Sequence, residues 1–358
     1  MRTRRAIPAA LAAVAALTVT GLGLPAAAAP TQVGTVANAD LVPFTLVVTA
    51  APGKANNIRV EQVRVGQTDR FIVSDTADVV VPRGSCKSIP NNSHAVDCPA
   101  FFPQLHGGDG NDIVTFDNDI VPVGGTQIPA LLFGEAGNDL VQATPNSWTV
   151  SLHGGPGNDS HRGGRGNDDL DGGPGPDGFY GGGGRDVVDY SSRTTKVSAD
   201  LDGVQDDGEL NERDVIKTDV EGFRGGSAGD TLIGNESANS IFGGPGNDTI
   251  FGFGGADFLI GNAFGNDGDD TIFGGNGPDE IQGGAGNDGL DGGAGNDHVS
   301  DQSGIDRLLG GAGADRLEAE DGSVGDFLEG GADTTDTCDI DIIGTLRDGV
   351  GAGCEIVF

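Results

Sequence analysis

Positive charge is what this sequence most lacks: 20 lysines and arginines stand against 54 aspartates and glutamates, for a net charge of −34. A surface this acidic repels nucleic acid and anionic lipid and excludes both as natural partners. Aromatic residues are scarce, at 5% of the chain, with one tryptophan and two tyrosines. A chain so poor in large side chains cannot build a thick globular core; it must stay disordered or bury its apolar residues by repetition. No HExxH sequence is present, no CxxC pair is present, and the five histidines are scattered. That pattern argues against a zinc site. Long apolar runs are missing everywhere except near the start.

There, Arg2, Arg4 and Arg5 precede the alanine-rich apolar stretch Ile7 to Leu24, and Ala26 to Ala29 supply small residues for cleavage. This is the layout of a secretory signal peptide over residues 1–28, removed in the mature chain. It is too short and glycine-broken for a good membrane span. Its loss would leave 17 basic residues against the same 54 acidic ones, a net charge of −37. The expected address is secreted and extracellular, with no transmembrane segment. Cys86, Cys98, Cys338 and Cys354 form two close pairs, which suggests local disulfides in an exported chain, although four cysteines allow three connectivities.

What is abundant is glycine: 65 of 358 residues, more than twice the usual share of about 7%. The glycines fall in register. From residue 154 the chain reads GGPGNDSHR, GGRGNDDLD, GGPGPDGFY, GGGGRDVVD, and from residue 225 GGSAGDTLI, GNESANSIF, GGPGNDTIF, GFGGADFLI. After an irregular stretch it resumes at Gly274 with GGNGPDEIQ, GGAGNDGLD and GGAGNDHVS, then a decayed DQSGIDRLL and a restored GGAGADRLE. Earlier copies begin at Gly107 and Gly134. In each unit the glycines permit a tight loop, and three residues follow of which the middle one is apolar. That position holds Leu170, Phe179, Val188, Leu232, Ile241, Ile250, Leu259, Ile281, Leu290, Val299, Leu308 and Leu317. One inward side chain per nine residues suits a short strand in a parallel coil with two strands per turn, stable only when coils stack. His161 takes the apolar position in its unit and is expected to be partly exposed rather than a ligand.

The sixth position is nearly always aspartate. Stacking at about 4.8 Å would line these carboxylates into files, which repel unless a cation sits between them. Carboxylate and carbonyl oxygens suit Ca²⁺, which takes six to eight; Mg²⁺ demands stricter geometry and transition metals want nitrogen or sulfur. The units resemble the RTX, or haemolysin-type, calcium-binding nonapeptide G-G-x-G-x-D-x-U-x, over roughly two-thirds of the chain. The resemblance implies an all-β, right-handed parallel β-roll holding multiple Ca²⁺ ions between loops of adjacent coils. It implies side-chain ligands at Asp159, Asp168, Asp177, Asp186, Asp230, Asp248, Asp257, Asp279, Asp288, Asp297 and Asp315, and at Asp112, Asp139, Asp270 and Asp306, whose units are isolated or imperfect. Asn239 replaces aspartate in its unit, so its site is expected to be weak or absent.

Residues 29–105 carry short β-type runs (Phe44 to Thr49, Ile58 to Val65, Phe71 to Val73, Val79 to Val81) and read as an N-terminal β-rich cap. Repeat arrays are expected over 106–188 and 225–333, an acidic inserted coil over 189–224, and a disulfide-closed cap over 334–358. Within the insert, strands are expected at Val197 to Leu201 and Val215 to Val220. Gly225-Gly226-Ser227-Ala228-Gly229 matches the G-x-S-x-G pattern but lies inside a repeat loop, not on a strand-to-helix turn, so Ser227 is expected not to be catalytic. No enzyme activity is expected. The leading reading is a secreted calcium-binding protein that folds as calcium binds, with a structural or surface-associated role. The alternatives are an adhesin with a glycan or cell-surface partner and, more remotely, a hydrolase.

Overall fold

The computed structural model describes residues 32–36, 45–66, 68–83, 85–99, 102–118, 129–262, 268–319, 325–331, 336–340, 342–343 and 346–357. The signal segment expected over 1–28 and residues 263–267 of the irregular stretch before Gly274, where a bulge is expected over Ala263 to Gly268, lie outside them.

Two long sheets face each other, and every coil contributes one short strand to each. Strands of the first sheet pair in parallel along most of the molecule, from Thr45–Thr49 on Phe102–Asp109, through Val150–His153 on Asp169–Asp171, to Asp336–Ile340 on Cys354–Val357. The second sheet runs likewise, for example Thr231–Ile233 on Thr249–Gly254, and then Thr271–Asn276 on Gly289–Ala294. The register keeps the apolar position of each unit opposite its counterpart one coil on, as in Leu232 with Ile250 and Ile250 with Ile272. The core is therefore a double ladder. All twelve apolar repeat positions read from the sequence are buried to 1% exposure or less.

His161 overturns an expectation. It is fully buried rather than partly exposed, paired with Val141 and Phe179 on neighbouring strands, and its ring stacks on Phe179 at a centroid distance of 5.1 Å. Register forces it inward, because the middle residue of the three-residue strand must face the core. Burial drives its pKa down to about 4, so it sits there neutral.

The first β-type runs continue the sheets. Thr45–Thr49 pairs with Phe102–Asp109, and Asn57–Val65 pairs in parallel with Ile113–Asp117. The same strand turns back antiparallel onto Thr68–Asp75, which pairs in turn with Asn92–Cys98. The disulfide Cys86–Cys98 ties this antiparallel end, and Cys338–Cys354 ties the last two strands of the first sheet. Both local pairings suggested by the cysteine spacing are present.

Besides Gly222–Arg224, which joins the first sheet, the insert between the arrays holds Val197–Asp200 and Asp214–Ile216, as its alternation implies, and one strand more. Gln205–Glu209 lies antiparallel to both and splices them into the second sheet. Its polar sequence hid it. It is held by backbone pairing and by Asp207, whose carboxylate accepts N–H bonds from Asp200 and Ile216 at 2.7 and 3.2 Å.

Candidate metal centre

Each strand of the arrays is entered through a loop ending in the sixth-position residue, and these residues are stacked by the sheets. The backbone is shaped by glycine where no other residue fits easily. In the unit 243–251, Gly244 and Gly246 have φ of 100° and 127°, values that L side chains avoid. A Cβ on the first glycine of unit 292–300 would stand 2.6 Å from Asp297 Oδ2 and 2.7 Å from the carbonyl of Gly310 on the next coil. The missing side chain makes room for the carboxylate.

The structure brings the sequence-derived aspartates together in three files. The first runs from Asn56 through Asp112, Asp139, Asp159 and Asp177 to Asp214. In it, each carboxylate Oδ1 accepts the backbone N–H of the residue one coil earlier, at 2.6 to 2.8 Å. On the same edge beyond the insert, a second file takes Asp230, Asp248, Asp270, Asp288, Asp306, Asp326 and Asp348, linked in the same way. The opposite edge carries Asp168 and Asp186, then Glu221 in place of aspartate, then Asn239, Asp257, Asp279, Asp297, Asp315 and Asp336. All fifteen aspartates named from the repeats are 4% exposed or less. Asp214, Asp326, Asp336 and Asp348 join the files although their units depart from the full glycine loop. The surviving signal is an aspartate followed by a short strand, as in Asp326-Phe327-Leu328.

One oxygen of each carboxylate is thus committed to the backbone. For Asp112, Asp139, Asp159, Asp177, Asp186, Asp248, Asp257, Asp279, Asp297 and Asp336 the other oxygen is buried and has no hydrogen-bond partner. A buried, unsatisfied carboxylate oxygen is costly, and ten in register describe a ligand set rather than a set of accidents. Three residues differ. Asp168 and Asp230 satisfy their second oxygen with the N–H of Gly164 and Gly226, at 2.7 and 2.6 Å. Neither has an aspartate one coil before it; Val150 and Val197 stand there. In Asp270 the second oxygen accepts from Asn262 Nδ2 at 3.1 Å. Asn239 accepts at Oδ1 from the Asn235 N–H at 2.8 Å, and its own amide donates to the Glu221 carbonyl at 3.2 Å.

Burial raises the carboxylate pKa values, with like-charged neighbours adding to it. Asp177 is pushed up to about 9, Asp186 and Asp270 to about 8, and Asp159, Asp248, Asp257 and Asp297 to about 7. Without a cation, such groups hold protons near neutral pH. Hard oxygen donors that are buried, anionic and close to loop carbonyls fit Ca²⁺. These aspartates with the loop carbonyls would hold the ions, which would supply the positive charge that the chain itself lacks.

At one joint the protein supplies its own cation. Arg193, 8% exposed at its side chain, pairs with Glu212 at 2.9 Å and donates to the carbonyl of Gly173 in a repeat loop. Glu212 also accepts from the Gly175 N–H at 3.0 Å. The guanidinium thus meets a loop carbonyl and a carboxylate at the seam between the insert and the first array. Ser227, the serine of the G-x-S-x-G match, donates through its hydroxyl to the Arg193 carbonyl at 3.2 Å.

Comparison with known proteins agrees with the geometry. A model of the RTX calcium-binding nonapeptide repeat (4 copies) matches residues 104–120, 152–189, 224–259, 264–299 and 301–334. No curated protein matches the chain. Among the described residues, no helix is long and apolar enough to cross a membrane. With its glycine loops, buried aspartate files and parallel two-sheet coil, the chain belongs to the family of RTX calcium-binding nonapeptide-repeat proteins, and its fold is the all-β parallel β-roll.

Proposed function

We propose that this is an exported, non-enzymatic calcium-binding protein that completes its fold as ions load the aspartate files, then serves a structural or surface-associated role outside the cell. The observation that carries the reading is the row of buried carboxylate oxygens without a donor. A cation that binds them only in the folded chain stabilises that chain by mass action. Extracellular calcium modules bind at roughly 10⁻⁴–10⁻³ M, so folding would be coupled to arrival in a calcium-rich medium. The two disulfides support the same address. The leader over residues 1–28 would direct export.

Within this reading Asp112, Asp139, Asp159, Asp177, Asp186, Asp248, Asp257, Asp279, Asp288, Asp297, Asp306 and Asp315 are the side-chain ligands. Asp168 and Asp230 open their files and need the cation least. The antiparallel strands 68–98 and the tied strands near Cys354 serve as caps that stop end-to-end pairing of coils. The experiment is a calcium titration of the mature chain, followed by far-UV circular dichroism with native mass spectrometry to count ions. A cooperative gain of β-signal with several ions bound is expected; a complete β-signal in a metal-free chain that binds none would end the proposal.

A further inference from the structure

We propose that Asp301 supplies a third carboxylate to the cation position between loops 283–288 and 301–306, making it the most tightly held calcium position of the arrays. This rests on the calcium reading above and adds to it a ligand that the repeat motif does not contain.

By sequence the unit DQSGIDRLL looks decayed, because Asp301 stands where the motif has its first glycine. The structure shows what the departure does. In neighbouring coils the backbone N–H at the second position donates to the first-position carbonyl one coil on, as Gly244 does to Gly261 at 2.9 Å and Asn262 to Gly283 at 3.0 Å. Gly284 donates instead to the side chain of Asp301, whose Oδ1 accepts at 3.1 Å. The other oxygen accepts from the Ser303 N–H at 2.9 Å. The carboxylate thus bends back between the coils and takes over a carbonyl's place while adding a full negative charge.

It arrives beside two file members. One oxygen each from Asp288, Asp301 and Asp306 lie within 4.8 Å of one another, and the three residues are 3%, 9% and 3% exposed. Asp288 uses Oδ1 to accept from the Asp270 N–H at 2.8 Å, and its Oδ2, facing the cluster, is buried with no donor. No lysine or arginine pairs with Asp288 or Asp301 among the described residues. The acidic group at Asp200, Asp206 and Asp207 differs, since only Asp207 of the three is buried. Calcium affinity is tuned by ligand charge count, and three carboxylates exceed the two that flank a position elsewhere in the files. The same surplus favours a trivalent lanthanide still more.

The test uses the full mature chain, stripped of metal, and two variants. Asp301→Asn keeps the acceptor for Gly284 and removes the charge. Asp301→Gly restores the motif and preserves the loop. Calorimetric titration with CaCl₂ and with LaCl₃, alongside native mass spectrometry, should show one ion bound about tenfold or more tighter than the rest. Both variants should lose that tight step while reaching the same dichroism at saturating calcium. A first ion that binds both variants with unchanged affinity would overturn the assignment. A parent chain that binds no calcium would instead overturn the calcium reading itself, so the two failures are distinguishable.

Discussion

Removing calcium should unfold the arrays at alkaline pH and spare them in acid. The file Asp230, Asp248, Asp270, Asp288, Asp306, Asp326, Asp348 places seven carboxylates on successive coils. At a coil spacing of about 4.8 Å and an effective dielectric constant of about 20, each neighbouring pair of ionised groups repels by about 3.5 kcal/mol. Six such contacts amount to about 20 kcal/mol, which exceeds the roughly 5–15 kcal/mol by which a domain is ordinarily stable. A metal-free chain can escape by protonation, which is what the raised pKa values of about 7 for Asp248 and about 8 for Asp270 describe. The folded state then binds more protons than the unfolded one, whose aspartates titrate near 3.8. Stability is therefore greatest in acid and falls as pH climbs from about 4 through these folded values, reaching its floor near pH 9. Bound calcium takes the place of the protons and flattens that profile. The assay is thermal unfolding by circular dichroism between pH 5 and 9, on chain stripped over chelating resin and on chain in millimolar calcium. Equal melting temperatures at pH 5 and pH 9 without metal would refute the reasoning, as would a calcium effect no larger at pH 8 than at pH 5.

Other outcomes follow from single positions. Arg193→Met leaves Glu212 as a buried, unpaired carboxylate and should cost about 3–5 kcal/mol; urea unfolding in saturating calcium reads it, and adding Glu212→Gln should recover most of the loss. Phe253 holds a left-handed φ of 73° and is 52% exposed, so Phe253→Gly should raise stability by about 1 kcal/mol through relief of that conformation; a lower melting temperature would contradict it. Leu290 is 1% exposed and sits between Ile272 and Leu308 in the ladder. Because its strand contributes a single core side chain, Leu290→Ala should destabilise by about 2–5 kcal/mol in chemical denaturation, even with calcium saturating.

The repeat was legible in the sequence because its two halves obey different chemistry. Glycines at fixed offsets declare loops, and an apolar residue every nine declares a one-sided strand, so Leu232, Ile250 and Leu308 could be placed in the core from spacing alone. The aspartates could be named as one chemical class for the same reason. Asp326 lies inside the array expected over 225–333 but was not among the expected ligands, since its loop keeps only Gly322 and Gly325 of the pattern, and backbone pairing still delivers it to the file. Gln205–Glu209 escaped because an antiparallel splice needs no apolar periodicity. At His161 side-chain polarity points outward and strand register inward, and register prevails.

By itself, then, the sequence determined the coil, its apolar ladder and the oxygen-donor chemistry of its loops, and suggested its disulfide pairs, all of which depend on residues within one or two units. Only the tertiary structure decided which aspartates are neighbours, which carboxylate oxygens lack donors, and where a guanidinium or a displaced carboxylate alters the pattern. Those properties depend on contacts between coils: Asp288 and Asp306 stand two nonapeptides apart, but Asp177 and Asp214, 37 apart, meet across the insert at a distance that the nonapeptide period does not encode.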